Sequence, residues 1–544
     1  MNGADLFVRE LQARGIGHIH TLTGNGLAPL FEACNRQGMR VIDTRNEQAA
    51  GYQADGIGRL TRKLAVCAVS SGVAHINGLT GLSNAWYDGS PMLLMTGGSE
   101  SQTRGRGHFQ DMDTVGLAAP LCKYAKYVSR VDRLALDLEA AIDAATSGRP
   151  GPVHLTIPVD VLAADATGLD LPTSRPRTAS VRPGGRADDA AIAEGLKLLA
   201  AAERPFIVAG SGVFYADAGE ELAALARALR APLAVPIWER GAVERPIPEF
   251  VGVVGSASGQ ARILPDADVL VVVGTQVDYR IGYLDPPAIA ADAKVIRVSV
   301  DPGELVQGVH PHLGLLGDPK YAMAQLCQAL EAEGHAGTGD WLAEAKRRHR
   351  AFHAKWIDAP APDGPTTGRH IVEGIRQVLT DDTFFLVDGG NIGQWVHMAM
   401  ADRYPERWMT CGRSAVIGWG VPTAAAVRAH YPEAPVILLS GDGSATFTIA
   451  ELECAARQKL PFVAIIADDA AWGIVLSGIR QSGSASVAAE LGPVDYVKVA
   501  EGFGCNGIRV DDPAAIAGAI GQGLAETGVP TLLHIPIVTG GPAD

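Results

Sequence analysis

Two acidic stretches set 27 positions apart, Gly441-Asp442-Gly443-Ser444 and Asp468-Asp469, have the composition of a clamp for a divalent metal on a diphosphate. Each follows an apolar run of strand length, Val436–Ser440 and Pro461–Ile466, and the stretch from Phe447 to Gln458 has helical spacing. This pattern predicts a βαβ unit. Parallel strands present their following loops at one edge of the sheet, so Asp442 and Asp469 are expected side by side. Mg²⁺ takes oxygen ligands and commonly keeps positions for phosphate oxygens. Glycines beside Asp442 let the backbone approach a phosphate, and the following helix offers unpaired N–H groups. A Gly-Asp-Gly alone is equally the signature of an ordinary turn.

Three further stretches carry candidate chemistry. In Val41–Tyr52 an apolar strand passes through Arg45-Asn46 into a helix beginning near Glu47. A carboxyl group in a dry pocket there could share its proton with a ring nitrogen; the plain alternative is a first-turn glutamate favoured by the helix dipole. Val387–Trp395 contains Asp388-Gly389-Gly390-Asn391, a strand-to-helix turn whose N–H groups could cradle phosphate oxygens. Cys411–Val421 is a glycine-rich stretch containing Ala415 and Ile417, where an isoleucine is equally a core residue.

These segments need a scaffold, and the chain is long enough for several. At 544 residues it exceeds one ordinary core, while 47% hydrophobic and 19% charged residues fit a globular α/β protein. Proline- and glycine-rich linkers at Ala164–Asp189 and Asp358–Arg369 divide it into three segments, 1–165, 186–345 and 366–544. Each alternates strand-length apolar runs with helical stretches, so three doubly wound parallel-sheet α/β domains are expected. A net charge of −14 without a basic stripe argues against nucleic-acid binding. No apolar run reaches membrane-spanning length and the amino end lacks a leader pattern, so a cytoplasmic location is the expectation. The seven scattered cysteines read as reduced packing residues, with Cys411 the one to watch.

Taken together, these motifs resemble the thiamine-diphosphate (ThDP) enzymes, in the branch of acetolactate synthase, benzaldehyde lyase, oxalyl-CoA decarboxylase and 2-hydroxyacyl-CoA lyase. The likeness covers essentially the whole chain. That family follows Gly-Asp-Gly, about 25 to 30 residues later, with Asn-Asn; here both positions are Asp, while Trp472-Gly473 fits. The resemblance implies Mg²⁺ held by Asp442, Asp469 and the Ala471 carbonyl. It also implies cofactor contacts from Gly389, Gly390, Asn391, Gly443, Ser444, Trp472 and Gly473. Glu47 would bond N1′ of the aminopyrimidine, Ala415 would accept from N4′, and Ile417 would wedge the two rings apart. The extra carboxylate at 469 adds negative charge beside a diphosphate.

By the same resemblance Gln110, in Gly107–Asp113, points toward the reacting carbon, and Asn25, Gly26 and His75 fall near the substrate pocket, His75 reading as a packed or partly exposed histidine in preference to an acid–base group. Gly26 stands where benzaldehyde lyase has a histidine, and Asn25 is the group that would compensate. Active sites shared between the first domain of one subunit and the last of another imply a homodimer or homotetramer. The domains become pyrimidine-binding, central and diphosphate-binding; FAD or a nucleotide in the central one, around Gly210-Ser211-Gly212, is an open alternative that is not favoured. The implied reaction moves an acyl-carbanion equivalent from a 2-keto acid or 2-hydroxy ketone to an aldehyde or ketone. Decarboxylation of 2-keto acids, cleavage of 2-hydroxyacyl-CoA and a non-catalytic homologue are the alternatives. Acyl-CoA ranks lower because no basic stretch follows Leu533–Val538.

Overall fold

The computed structural model describes residues 1–169, 184–255, 261–308, 310–335, 337, 339–354, 364–400 and 402–539. Most of the first expected linker and residues 358–363 of the second lie outside that set. The first sheet comprises β1 (His18–Thr21), β2 (Arg40–Asp43), β3 (Ala65–Ser70), β4 (Met92–Gly98), β5 (Tyr124–Tyr127) and β6 (Val153–Pro158). The second comprises β7 (Pro205–Ala209), β8 (Leu233–Pro236), β9 (Phe250–Val254), β10 (Val269–Val273), β11 (Lys294–Ser299) and β12 (Leu313–Leu316). The third comprises β13 (Phe384–Asp388), β14 (Trp408–Thr410), β15 (Val436–Gly441), β16 (Val463–Asp468), β17 (Asn506–Arg509) and β18 (Thr531–Pro536).

All neighbouring strands run parallel. The physical reason lies in the strands' composition. β3, β4, β7, β10 and β13 are buried at every residue, which is why they read as continuous apolar runs; both faces are covered by helices. The first and third sheets share one order, β2-β1-β3-β4-β6-β5 and β14-β13-β15-β16-β18-β17. The central sheet differs: β12-β11-β10-β7-β8-β9 is the dinucleotide-fold order, reversing direction between β7 and β10. The three expected α/β domains are thus present.

The central segment extends past its expected end at 345. Helix Gly339–His353 belongs to it, because Trp341 is buried in that core and its Nε1 donates to the Pro205 carbonyl at 2.9 Å.

One helix pair sets the geometry of the first domain. Asn46 caps Glu47–Thr61, its side chain accepting from the Gln48 N–H at 2.9 Å, so Glu47 occupies the first turn. That helix crosses Val73–Asp88 so closely that a Cβ on Gly81 would lie 2.5 Å from the Gly51 backbone. It packs equally closely on helix Gly420–His430 of the third domain, where a Cβ on Gly56 would meet Thr423 Cγ2 at 2.5 Å.

Gly81→Ala is therefore expected to cost about 1–3 kcal/mol and lower the calorimetric unfolding midpoint. Gly478→Ala, on an exposed helix with nothing within 4 Å of the new methyl, is expected to leave the midpoint unchanged or slightly raised.

Candidate active site

The register of β15 on β16 pairs Gly441 with Ala467, bringing the residues just beyond, Asp442 and Asp468, abreast at the sheet edge. Asp442, Asp469 and Ala471 line one cavity of about 350 Å³ with Gly389, Gly390, Asn391, Ala415, Ile417, Gly443, Ser444, Trp472 and Gly473. Every residue expected to contact a diphosphate or metal therefore meets in a single concavity. The glycines are needed there by space. A Cβ on Gly443 would lie 2.6 Å from the Trp472 ring, one on Gly390 2.6 Å from Ile474, and one on Gly473 2.7 Å from Asp469 Oδ2. Gly389 adds a φ of 109°, which a side chain would strain.

The electrostatics are those of an acidic pocket. Burial, with the neighbouring Asp469 and Asp468 carboxylates, pushes Asp442 up to about 7. Burial and Asp468 push Asp469 up to about 6. Burial works on Asp468 in the same direction, but hydrogen bonds from His534 Nε2 at 2.8 Å and the Ala470 N–H at 3.0 Å outweigh it and bring that group down. Asp468 also hydrogen-bonds Asp442. The two aspartates of the pair thus divide their work: Asp468 faces His534 on β18, while Asp469 faces the cavity. Carboxylates crowded this way favour a bound divalent cation, and their hard oxygens fit Mg²⁺.

The wall opposite is the Gly412–Ile417 turn, with Ala415 at φ 54°. Buried charges of the first domain hold it. The Arg413 N–H donates to Asp88 Oδ1 at 2.8 Å, Ser414 Oγ bonds Asn84, and Arg59 donates to the Thr410 carbonyl at 2.9 Å. Asp388, at the end of β13, accepts the Gly420 N–H at 2.8 Å.

Glu47 is not among the residues lining that cavity. It lies at the carboxyl edge of the first sheet, where Asn77 Nδ2 donates to its Oε2 at 2.9 Å. Gln110 and Asn25 gather at the same edge: Ser70 Oγ donates to the Asn25 carbonyl at 2.8 Å and lies 3.3 Å from Gln110 Oε1. Gln110 has a φ of 58° and crowds Gly72, whose Cβ would meet it at 2.7 Å; Gly26, φ 83°, packs on Gly97. His75 takes the packed position and not the pocket one. It is fully buried, its Nδ1 lies 2.8 Å from Thr96 Oγ1 and its ring sits edge-on to His154, so it packs the core; burial lowers it to about 4. All seven cysteines are free, and Cys411 lines the cavity.

Sequence reasoning missed Trp238, Trp395, Ile474 and Val475 on the cavity wall and the Asp468–His534 bond. Of these, only Ile474 and Val475, directly after Trp472-Gly473, carried a local signal.

In the central domain the β7/β10 crevice opens on a cavity of about 380 Å³ lined by Ser211, Gly212, Gly274, Thr275 and Arg413, and two of its donors are already engaged. The Ser211 N–H donates to Glu239 Oε2 at 2.8 Å, and Thr275 Oγ1 donates to Glu239 Oε1 at 2.6 Å. Arg280 lies 2.8 Å from the same carboxylate and holds it ionised against burial, down to about 2. A second anion at these donors would meet a fixed buried negative charge.

Two half-sites on sheets of identical order, one with a glutamate at a helix start and one with an acidic diphosphate cradle, define a thiamine pyrophosphate enzyme, and the chain belongs to that family. Its N-terminal TPP-binding, central and C-terminal TPP-binding domain descriptions match residues 1–117, 192–326 and 388–535. Among curated relatives it is 29% identical to the probable acetolactate synthase large subunit of Methanocaldococcus jannaschii, over 99% of this chain and 92% of that one. It is 27% identical to the acetolactate synthase isozyme 1 large subunit of Escherichia coli (98% and 94%) and 28% identical to human 2-hydroxyacyl-CoA lyase 2 (93% and 85%). Among the described residues no helix is long and apolar enough to cross a membrane.

Burial pushes Asp388 from 3.8 up to about 7, against the pull of the Gly420, Gly418 and Gly389 N–H groups. The folded chain then holds a proton that the unfolded chain has lost between about pH 4 and pH 7, so stability from this group falls as pH rises through that window. Asp388→Asn is expected to remove that slope: without cofactor, its calorimetric midpoint relative to the parent should climb from pH 4.5 to pH 7.5.

Proposed function

We propose that the protein is a ThDP- and Mg²⁺-dependent carboligase or carbon–carbon lyase that transfers an acyl-carbanion equivalent from a 2-keto acid or 2-hydroxy ketone to an aldehyde or ketone. The convergence of Asp442, Asp469, Ala471, Ile417 and three close-packed glycines on one cavity carries this reading. Asp442, Asp469 and the Ala471 carbonyl would hold the cation. The N–H groups of Gly390 and Ser444 would face diphosphate oxygens, with Gly389 leaving the backbone room to approach. When bound, thiamine supplies the electron sink for the reacting carbonyl. Glu47 would hold a proton at N1′ of the aminopyrimidine, Ala415 would accept from N4′, and Gln110 would donate to the substrate oxygen.

Because Glu47 and Asp442 sit on different edges of one chain, a complete site needs two copies, Glu47 of one facing the cavity of the other. Exposed apolar side chains fit that arrangement: Val73, Ile76 and Phe109 around the first-domain edge, Phe447, Ile474 and Val475 around the third-domain one. Such patches are unusual on a free surface. The names of the relatives favour keto-acid condensation over simple aldehyde release.

Glu47→Gln is expected to bind ThDP with Mg²⁺ nearly as the parent does in titration calorimetry, yet lose proton exchange at thiazolium C2 by about 100-fold or more, read by NMR. Unchanged exchange removes Glu47 from the chemistry, and absence of metal-dependent heat in the parent removes the cofactor assignment. Incubation with pyruvate, benzaldehyde, benzoin, glyoxylate and formaldehyde should give condensation or acyloin-cleavage products; free aldehyde from pyruvate as the sole product would replace the carboligase with a decarboxylase.

A further inference from the structure

The cavity has one wall from an unexpected source. Trp238, in the turn after β8 of the central domain, lines it together with Asn391, Trp395, Cys411, Ala415 and Ile417. Its backbone has a φ of 67°, a conformation that a bulky residue keeps only where surrounding contacts enforce it.

Those contacts are unusually complete. On one side, the Ile237 N–H donates to the Val254 carbonyl at 2.7 Å and the Ile237 carbonyl accepts from Arg280 at 2.9 Å. On the other, Glu239 is buried against Ser211, Thr275 and Arg280. Arg240 donates to the Trp408 carbonyl at 2.9 Å and to the Glu406 carbonyl of the third domain, and its guanidinium stacks 4.4 Å over Phe214. Arg280 is itself held by Asp278 at 2.9 Å. Both flanks of the turn are fixed by buried charge, and the product of that fixation is an indole held at the cavity beside Ile417.

We propose that Trp238 is a substrate-positioning residue that selects the acyl substituent by size, the central domain's contribution to a site otherwise built from the first and third. This rests on the ThDP reading above. The walls around it, Ile392, Trp395, Ile417, Ile474 and Val475, are apolar, so the group it measures is an alkyl or aryl substituent on the reacting carbonyl. A rigid indole leaves room for a small alkyl group and excludes an aryl ring; discrimination of this kind is set by how the pocket is filled.

Two readouts test it. The first is tryptophan emission during ThDP–Mg²⁺ titration of the parent and Trp238→Phe, whose difference isolates this indole among the eight tryptophans. A response present in the parent and missing from the variant is expected. The second is the affinity of the ThDP-loaded protein for methyl acetylphosphonate and methyl benzoylphosphonate, mimics of a small and a bulky 2-keto acid that cannot lose CO₂. Trp238→Ala is expected to shift the ratio toward the benzoyl compound by about tenfold or more, while Trp238→Phe stays within about threefold of the parent. Coincident emission traces with an unmoved ratio, in protein that binds ThDP with heat, overturn the assignment and leave the function standing. Failure of the benzoyl compound to bind ThDP-loaded Trp238→Ala overturns it as well. Absence of ThDP heat overturns the cofactor reading and this inference with it.

Discussion

A single fully buried arginine ties the two cofactor-binding domains together. Arg59 lies 3.5 Å from both Asp55 and Asp88, donates to the Thr410 carbonyl and sits 5.2 Å from the centre of the Trp419 ring. The Trp419 N–H and Asn84 Nδ2 both donate to Asp55, at 3.1 and 2.8 Å. Burying such charges is expensive, and removing one partner of a buried pair leaves an uncompensated ion, typically at 3–5 kcal/mol. This network constrains geometry more than it adds stability. Asp88 and Asn84 also bond the turn carrying Ala415 and Ile417, so the cavity wall moves only if the charge cluster comes apart.

From that anchor the rest is sheet geometry. Helix Glu47–Thr61 carries Asp55 and Arg59 in its interior and Glu47 at its tip, so the packing that fixes the Ile417 turn also orients Glu47. The glycines on two faces of this helix let it sit against backbone on both sides, which removes slack a side chain would introduce. A glutamate acting on a ring nitrogen needs such placement, since small displacements of a positioned group cost large factors in rate.

Much of this was legible in the sequence. Continuous apolar strands announced parallel sheets, and the motifs after β13, β15 and β16 announced the cradle, because each chemical role there requires a particular residue type next to a strand end. What escaped reading depends on contacts between distant segments. Trp238 looks like any aromatic in a loop until Glu239 and Arg240 are seen to be clamped by residues 28 to 168 positions away. For His75, read as packed, the partners Thr96 and His154 on neighbouring strands were what the sequence did not show. Asp468 and Asp469 are adjacent and chemically identical, and only the pairing of β16 with β18 tells them apart.

The central domain keeps a ligand-binding topology and engages part of it with its own side chain. Its strand order leaves a crevice at the β7/β10 reversal whose N–H and hydroxyl donors ordinarily face a phosphate. Here Glu239 engages two of those donors, and Arg280, paired with Asp278 as well, balances its charge. Buried carboxylates require such pairing, so each member of the set depends on the others. A carboxylate on this very turn cannot shift without carrying the backbone of Trp238 along. The turn is thereby a rigid support whose rigidity is delivered at the wall of the cavity formed by the third domain, while a separate cavity of about 380 Å³ stays open at the crevice itself.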